Sequence, residues 1–213
     1  MHAATSRPAD DALALPESLR GLAARGERRR YRKGMLLIQE GDRGDTLFIV
    51  LSGRVKAFSS DERDREITYG TYGPGEYLGE MSLDGGPRSA SVITLEATEC
   101  VVITRQTLRE HIAANPEFAF ELLNRVIRRA RLATQNARNL ALLDTYGRLV
   151  KALTDLAGGS KVIETRPTHR ELASRVGSSR EMVSRLMKDL ERGGYVAVEG
   201  RKLKMLRPLP SNW

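Results

Sequence analysis

The sequence predicts a mixed α+β fold in three parts: a barrel or sandwich of short strands, one long amphipathic helix, and a small basic unit of helices closed by a hairpin. Three observations predict it. Between Met35 and Thr104, apolar and β-branched runs alternate with clusters of turn residues. From Glu117 to Leu143 there is no Gly or Pro, and Ala, Leu and Arg dominate. The positive charge gathers at the end of the chain. Thr145 to Trp213 holds 14 Lys and Arg against 7 Asp and Glu, so +7 of the net +8 sits in the last third.

The strand candidates are Met35–Gln39, Thr46–Leu51, Arg54–Phe58, Glu66–Tyr72, Ala90–Thr94 and Cys100–Thr104. Their composition suits a pleated, half-buried surface. Gly41-Asp42, Gly44-Asp45, Ser52-Gly53, Gly73-Pro74-Gly75 and Gly85-Gly86-Pro87 break them apart. Many short strands at close spacing argue for a barrel or sandwich.

The period then lengthens. Arg105 to Ala114 reads as a short helix ending at Asn115-Pro116. Phe120, Leu123, Ile127, Ala130, Thr134, Ala137 and Ala141 follow in steps of three or four, an apolar stripe of coiled-coil type. Arg125, Arg128, Arg129, Arg131 and Arg138 occupy other faces. A helix of this length and pattern wants a partner surface, and a dimer seam is expected there. Asp144 to Gly147 marks a break, a helix is expected from about Arg148 to Leu156, and Val162 to Thr165 suits a short strand.

Thr168-His169-Arg170-Glu171 has the form of a capping box, and Ser178-Ser179-Arg180-Glu181 reads as a second one ten residues on. Between them Leu172, Ala173 and Val176 supply an apolar face, and Gly177 permits the tight turn. Met182, Val183, Leu186, Met187 and Leu190 are expected on the buried face of the second helix. This is helix-turn-helix spacing, in which the start of the second helix enters the major groove of DNA. Arginine there can pair with guanine and glutamate can accept from cytosine. The candidate DNA-binding residues are Thr168, Arg170, Ser179, Arg180, Glu181, Ser184, Arg185 and Lys188. A basic hairpin follows, with Arg201 and Lys202 placed to touch phosphates as a wing.

A second constellation lies in the strand region. Gly79-Glu80-Met81-Ser82 is followed by Arg88-Ser89. Backbone N–H groups at a helix start, an arginine and a carboxylate would hold, respectively, a phosphate, its charge and a ribose hydroxyl. Tyr69, on the preceding strand, is a further candidate for lining such a pocket.

Gly79 to Ala90 resembles the phosphate-binding cassette of cyclic-nucleotide-binding domains, and with Arg180-Glu181 and Arg185 the chain resembles the Crp–Fnr superfamily of transcription regulators, from about Tyr31 to Leu206. The resemblance implies a cyclic-nucleotide-binding jelly-roll β-barrel, a long dimerisation helix and a winged helix-turn-helix. It implies an effector held by Gly79, Glu80, Met81, Ser82, Arg88 and Ser89, and reading of a TGTGA-like palindromic site by Arg180, Glu181 and Arg185. Double-stranded DNA, a second copy of the chain and RNA polymerase are the implied partners. Two departures from the cAMP receptor branch stand out. The stretch from Glu80 to Arg88 is shorter, and the Thr-Ser pair that grips adenine in that branch corresponds to Ala133-Thr134, so only Thr134 keeps its hydroxyl. cAMP is favoured as effector, with cGMP and cyclic di-GMP open.

The remaining expectations concern boundaries and exclusions. Residues 1–16 form a disordered tail, 17–115 the barrel domain, 116–143 the long helix and 144–213 the DNA-binding domain. No run of about 18 apolar residues exists for a membrane span, and no secretory signal opens the chain. With Cys100 the single cysteine, neither a disulfide nor a cysteine cluster is available, which fits a cytoplasmic protein without a metal. Competing readings are a constitutive DNA-binding regulator with a vestigial pocket, a cyclic-nucleotide-binding subunit of another protein, and a cupin-like enzyme. The enzyme would need metal ligands, and Met35 to Thr104 contains no His.

Overall fold

The computed structural model describes residues 15–62 and 65–210. The chain divides into two compact units. Of the described residues, one comprises 15–59 with 69–130, the other 60–62 and 65–68 with 131–210.

Along the chain α1 (Glu17–Ala23) precedes eight strands: β1 (Glu27–Tyr31), β2 (Leu36–Ile38), β3 (Leu47–Ser52), β4 (Val55–Ser60), β5 (Glu66–Tyr72), β6 (Tyr77–Leu78), β7 (Ser91–Thr94) and β8 (Thr98–Ile103). They form two four-stranded sheets, ordered β1-β8-β3-β6 and β2-β7-β4-β5. Strand β3, Leu-Phe-Ile-Val-Leu, is apolar at successive positions because both its faces are covered. Phe48 and Val50 join Ile38, Val55, Leu78, Val92 and Cys100 in one core. Leu47, Ile49 and Leu51 turn the other way, onto Leu19 and Leu22 of α1, Leu108 of α2 (Arg105–Ala114) and Phe118.

One sequence expectation needs correction here, and two strands carried no signal in the sequence. Leu15, assigned to the disordered tail, is buried in that helix-covered core, so the ordered chain begins before residue 17; residues 1–14 lie outside the described residues. Strand β1, Glu-Arg-Arg-Arg-Tyr, carries no apolar alternation and was not foreseen. It is an edge strand, whose charges face solvent, and Arg28 and Arg30 both pair with Glu99 of the neighbouring β8. The two-residue β6 is too short to show a period.

Helix α3 (Glu117–Leu142) follows the barrel and runs across the boundary between the units. Of its residues only Phe118 is buried. Phe120, Leu123, Val126, Ile127, Leu132 and Leu140 are exposed.

The second unit holds α4 (Thr145–Ala157), β9 (Val162–Ile163), α5 (His169–Val176), α6 (Arg180–Arg192), β10 (Val196–Glu199) and β11 (Lys202–Met205). The expected break before Arg148 falls earlier. Asp144 caps α4 by accepting from the Gly147 N–H at 2.7 Å, so Thr145, Tyr146 and Gly147 are already helical. The three helices close on a three-stranded sheet, ordered β10-β11-β9, around Leu149, Leu153, Leu172, Val183, Met187, Leu190 and Leu203. Arg148 ties the unit together, donating to the carbonyls of Val176 and Leu143 at 2.7 and 2.8 Å.

Candidate effector pocket and nucleic-acid interface

The cassette begins at Gly79, whose φ of +94° suits glycine and where a Cβ would come within 2.6 Å of the Thr46 carbonyl oxygen. The chain then makes one 3-10 turn, Glu80–Ser82, and a loop that returns to Arg88. Backbone bonds fix that return: the Arg88 N–H donates to the Asp42 carbonyl, and the Arg88 carbonyl accepts from Gly41, both at 2.9 Å. The Arg88 guanidinium is buried. It donates to the Gly79 carbonyl at 3.0 Å, to Ser82 Oγ at 2.8 Å and to Thr46 Oγ1 at 2.9 Å. Burial lowers its pKa, against the opposing pull of Asp45 and Glu80.

The Glu80 carboxylate is nearly inaccessible to solvent. Its Oε1 pairs with Arg129 of α3, and its Oε2 is buried with no hydrogen-bond partner. Arg129 also donates to the Tyr77 carbonyl at 3.0 Å and lies over the Tyr72 ring, 4.9 Å from its centroid. One turn back, Arg125 stacks on Tyr77 at 4.1 Å and reaches Glu76 at 3.4 Å. Burial raises the Tyr77 pKa.

Gly79, Glu80, Ser82 and Arg88 are thus brought together. Met81 and Ser89 are exposed at the rim, 3.5 Å apart from sulfur to hydroxyl. Tyr69 is half exposed; Tyr72, three positions on and so on the other face of β5, is the tyrosine that meets Arg129. Thr134 is an exposed α3 residue of the second unit. Sequence reasoning missed Thr46, Tyr72 and Arg129. Nothing in the local pattern separates Arg129 from the other arginines of α3, because its partner lies 49 residues away.

In the second unit the capping box at α5 is complete. Glu171 N–H donates to Thr168 Oγ1 at 3.2 Å, and Thr168 N–H donates to Glu171 Oε2 at 2.6 Å. Gly177 ends α5 with φ +63°. The second expected box is not formed as read. Ser179, not Ser178, caps α6, accepting from Met182 N–H at 3.2 Å. Glu181 therefore stands second in the helix, one position short of the place from which it could bond back. Met182 is partly exposed, whereas Val183, Met187 and Leu190 are buried as expected.

Arg180, Glu181, Ser184, Arg185 and Lys188 line one open hollow of about 420 Å³. A neighbouring hollow of about 570 Å³ is lined by Arg166, Pro167, Thr168, His169, Arg170 and Arg180. Arg180 borders both. The wing is the β10–β11 hairpin. Arg201 is exposed at its turn, and its carbonyl accepts from Arg166 N–H at 2.6 Å. Lys202 pairs with Glu164 at 2.6 Å on the surface. Arg166 and His169 were not singled out from the sequence, although Arg166 lies just before the cap.

Residues 28–115 match the cyclic nucleotide-binding domain, and residues 147–208 match the Crp-like helix-turn-helix domain. The chain is 34% identical over 181 residues to the CRP-like cAMP-activated global transcriptional regulator of Mycobacterium tuberculosis, covering 81% of each chain. The chain belongs to the Crp–Fnr family. It is also 32% identical to the cAMP-activated global transcriptional regulator Vfr of Pseudomonas aeruginosa, over 85% of this chain and 90% of that one. Among solved structures it is similar to the c-di-GMP responsive global regulator CLP of Xanthomonas campestris. That match has a TM-score of 0.79 and 28% identity, over 88% of this chain and 97% of the other. This Crp–Fnr chain joins the two parts of a cyclic-nucleotide-controlled, DNA-binding transcription regulator. Among the described residues no helix is long and apolar enough to cross a membrane, and no cluster of His, Cys, Asp and Glu is suited to a metal ion.

Proposed function

We propose that this Crp–Fnr regulator binds cAMP at the Gly79–Ser89 cassette and, as a homodimer, reads a palindromic DNA site through α6. The observation that carries the reading is the cassette itself. An inward guanidinium at Arg88 stands beside a buried carboxylate, Glu80, one of whose oxygens lacks a partner. A buried acceptor without a donor is costly, and a ribose 2′-hydroxyl supplies that donor. Arg88 supplies the charge for one cyclic phosphodiester, with Gly79, Met81, Ser82 and Ser89 forming the cradle around it. Tyr69 and Thr134 keep their proposed roles, the one as a side chain at the mouth of the pocket and the other as the hydroxyl that meets the base.

The effector identity follows the relatives from Mycobacterium tuberculosis and Pseudomonas aeruginosa, named as cAMP-activated. cGMP and cyclic di-GMP are the alternatives, the latter because the Xanthomonas regulator is named for it. On the DNA side, Arg180, Glu181 and Arg185 read base edges. Ser184 stands among them, and Ser179, Lys188, Thr168, Arg170, Arg201 and Lys202 provide further contacts, chiefly to phosphates. The exposed stripe of α3 forms the dimer seam, which would set two recognition helices about 34 Å apart. The protein acts in the cytoplasm, with RNA polymerase as its downstream partner and no enzymatic activity of its own.

Calorimetric titration of the purified protein with cAMP tests the effector. Saturable binding at about micromolar affinity, near −8 kcal/mol, is expected. Absence of heat with cAMP, together with saturation by cyclic di-GMP or cGMP, would reassign the ligand. Silence with all three would leave a constitutive DNA-binding protein.

A further inference from the structure

His169 and Ser184 join the two helices of the DNA-reading motif. The imidazole Nδ1 lies 2.7 Å from the Ser184 hydroxyl, a side-chain bond from the first turn of α5 to the middle of α6. A serine inside a helix commonly points to solvent or bonds back to the carbonyl four residues earlier. Here an external partner holds it. Ser184 lines the hollow shared by Arg180, Glu181, Arg185 and Lys188, and His169 lines the adjoining one. The bonded pair therefore joins the walls of the two hollows.

The surroundings of the ring indicate which way the bond runs. Its Nε2 is buried without a partner. The charged groups acting on it are Arg166 from the loop before α5, and Arg180, Lys188 and Glu191 from α6. Burial, then Arg166, hold the imidazole pKa down, so the ring is neutral at physiological pH. A neutral ring carries one proton. A buried N–H without a partner is rarer in proteins than an unused acceptor, and three of the four nearby charges are cations. Both facts favour the lone pair at Nε2 and the proton at Nδ1. Nδ1–H then donates to Ser184 Oγ, which leaves the hydroxyl hydrogen free.

We propose that His169 is a positioning residue for sequence reading: it pins Ser184 so that its hydroxyl donates to an acceptor on a base edge in the major groove, such as purine N7, guanine O6 or thymine O4. This rests on the reading of α6 as the recognition helix. Through His169, one base preference of the protein depends on a residue that touches no base.

The test uses the full chain with saturating cAMP and a fluorescent palindromic duplex, with each base pair of the half-site substituted in turn. Wild type, His169→Ala, Ser184→Ala, the double variant and His169→Asn are compared. Asn can reach the Nδ1 position with its amide. The expected result is that His169→Ala and Ser184→Ala lose about two- to tenfold of discrimination at the same base pair. The double variant loses no more than either, and His169→Asn restores the preference. A uniform loss on all duplexes, a wild-type profile in His169→Ala, or losses that multiply in the double variant would overturn the proposal. If wild type itself shows no base preference, the recognition-helix reading fails first, and that outcome is distinct from the others.

Discussion

Glu80 and Arg129 close on each other across the first unit: a carboxylate buried beneath the cassette meets a guanidinium that arrives from α3. Glu80 is 1% exposed at its side chain and Arg129 20%. Arg129 is held from two further sides, by the Tyr77 carbonyl and the Tyr72 ring. Removing one partner of a buried pair strands the other charge, at a cost of about 3–5 kcal/mol. Arg129→Ala is expected to lower the stability of the first unit by that amount in a urea titration at neutral pH. Glu80→Gln combined with Arg129→Ala should recover much of it. A loss below about 1 kcal/mol in the single variant would mean that the pair is hydrated in solution.

The same carboxylate bears the ligand prediction. A hydrogen bond to a charged acceptor contributes about 1.5–3 kcal/mol, so Glu80→Ala should weaken cAMP binding by at least tenfold. Because this substitution also frees Arg129, the control is Glu80→Gln, which preserves the volume and removes the charge. Calorimetry on both variants decides the assignment: an unchanged isotherm in Glu80→Ala would move the ribose site elsewhere.

Arg180 borders both hollows of the second unit, so it is the side chain best placed to touch two features of bound DNA. A base contact from it should be worth about 1–3 kcal/mol at one position. Arg180→Ala is therefore expected to flatten the preference at that base pair, in competition assays with substituted duplexes. Equal weakening on every duplex, with a smaller salt slope, would make Arg180 a phosphate contact instead.

The fold was most legible where chemistry is local. The short helix Arg105–Ala114, the capping box at Thr168 and the glycine turn at Gly177 were all readable, because each is specified within a few residues. Strand β1 was not, since its ordering depends on β8 and on Glu99 more than 65 residues away. The cap of α6 was misread by one residue because Ser178 and Ser179 offer the same hydroxyl, and only the turn geometry chooses between them. For the sites, residue types adjacent in sequence, such as Gly79, Glu80 and Ser82, were found. Their tertiary partners Thr46, Tyr72 and Arg129 carry no signal of their own.

Helix α3 presents Phe120, Leu123, Val126, Ile127, Leu132 and Leu140 to solvent. Phe120, Leu123 and Ile127, three and four apart on the 26-residue helix, share one face, an exposed apolar stripe that water does not tolerate well. The seam model requires a second copy to cover it. Leu123→Glu with Ile127→Glu would set like charges on facing helices. It should convert the protein to a monomer in sedimentation velocity while leaving the far-ultraviolet spectrum unchanged. A variant that still sediments as a dimer would exclude this stripe as the seam.

Cys100 offers a probe of the barrel that is independent of ligand and DNA. It sits in β8, facing the core between the sheets with Phe48, Val50 and Leu78, and is wholly buried. Burial pushes its thiol up to about 12, with the neighbouring Glu99 charge adding to the rise. Because the thiolate is the reactive form, the native thiol should be inert to an aromatic disulfide reagent at pH 8. In the unfolded chain the thiol returns to an ordinary value near 8.5 and reacts at once. The sign for stability follows. The folded-state pKa is raised, so between about 8.5 and 12 the unfolded chain loses the proton that the folded one keeps, and stability falls as pH rises through that window. Labelling should thus report opening of the barrel, and its rate should rise above that of the wild type when Val50→Ala opens a cavity beside the sulfur. Stoichiometric labelling of the native protein within the mixing time would show that β8 is not closed in solution.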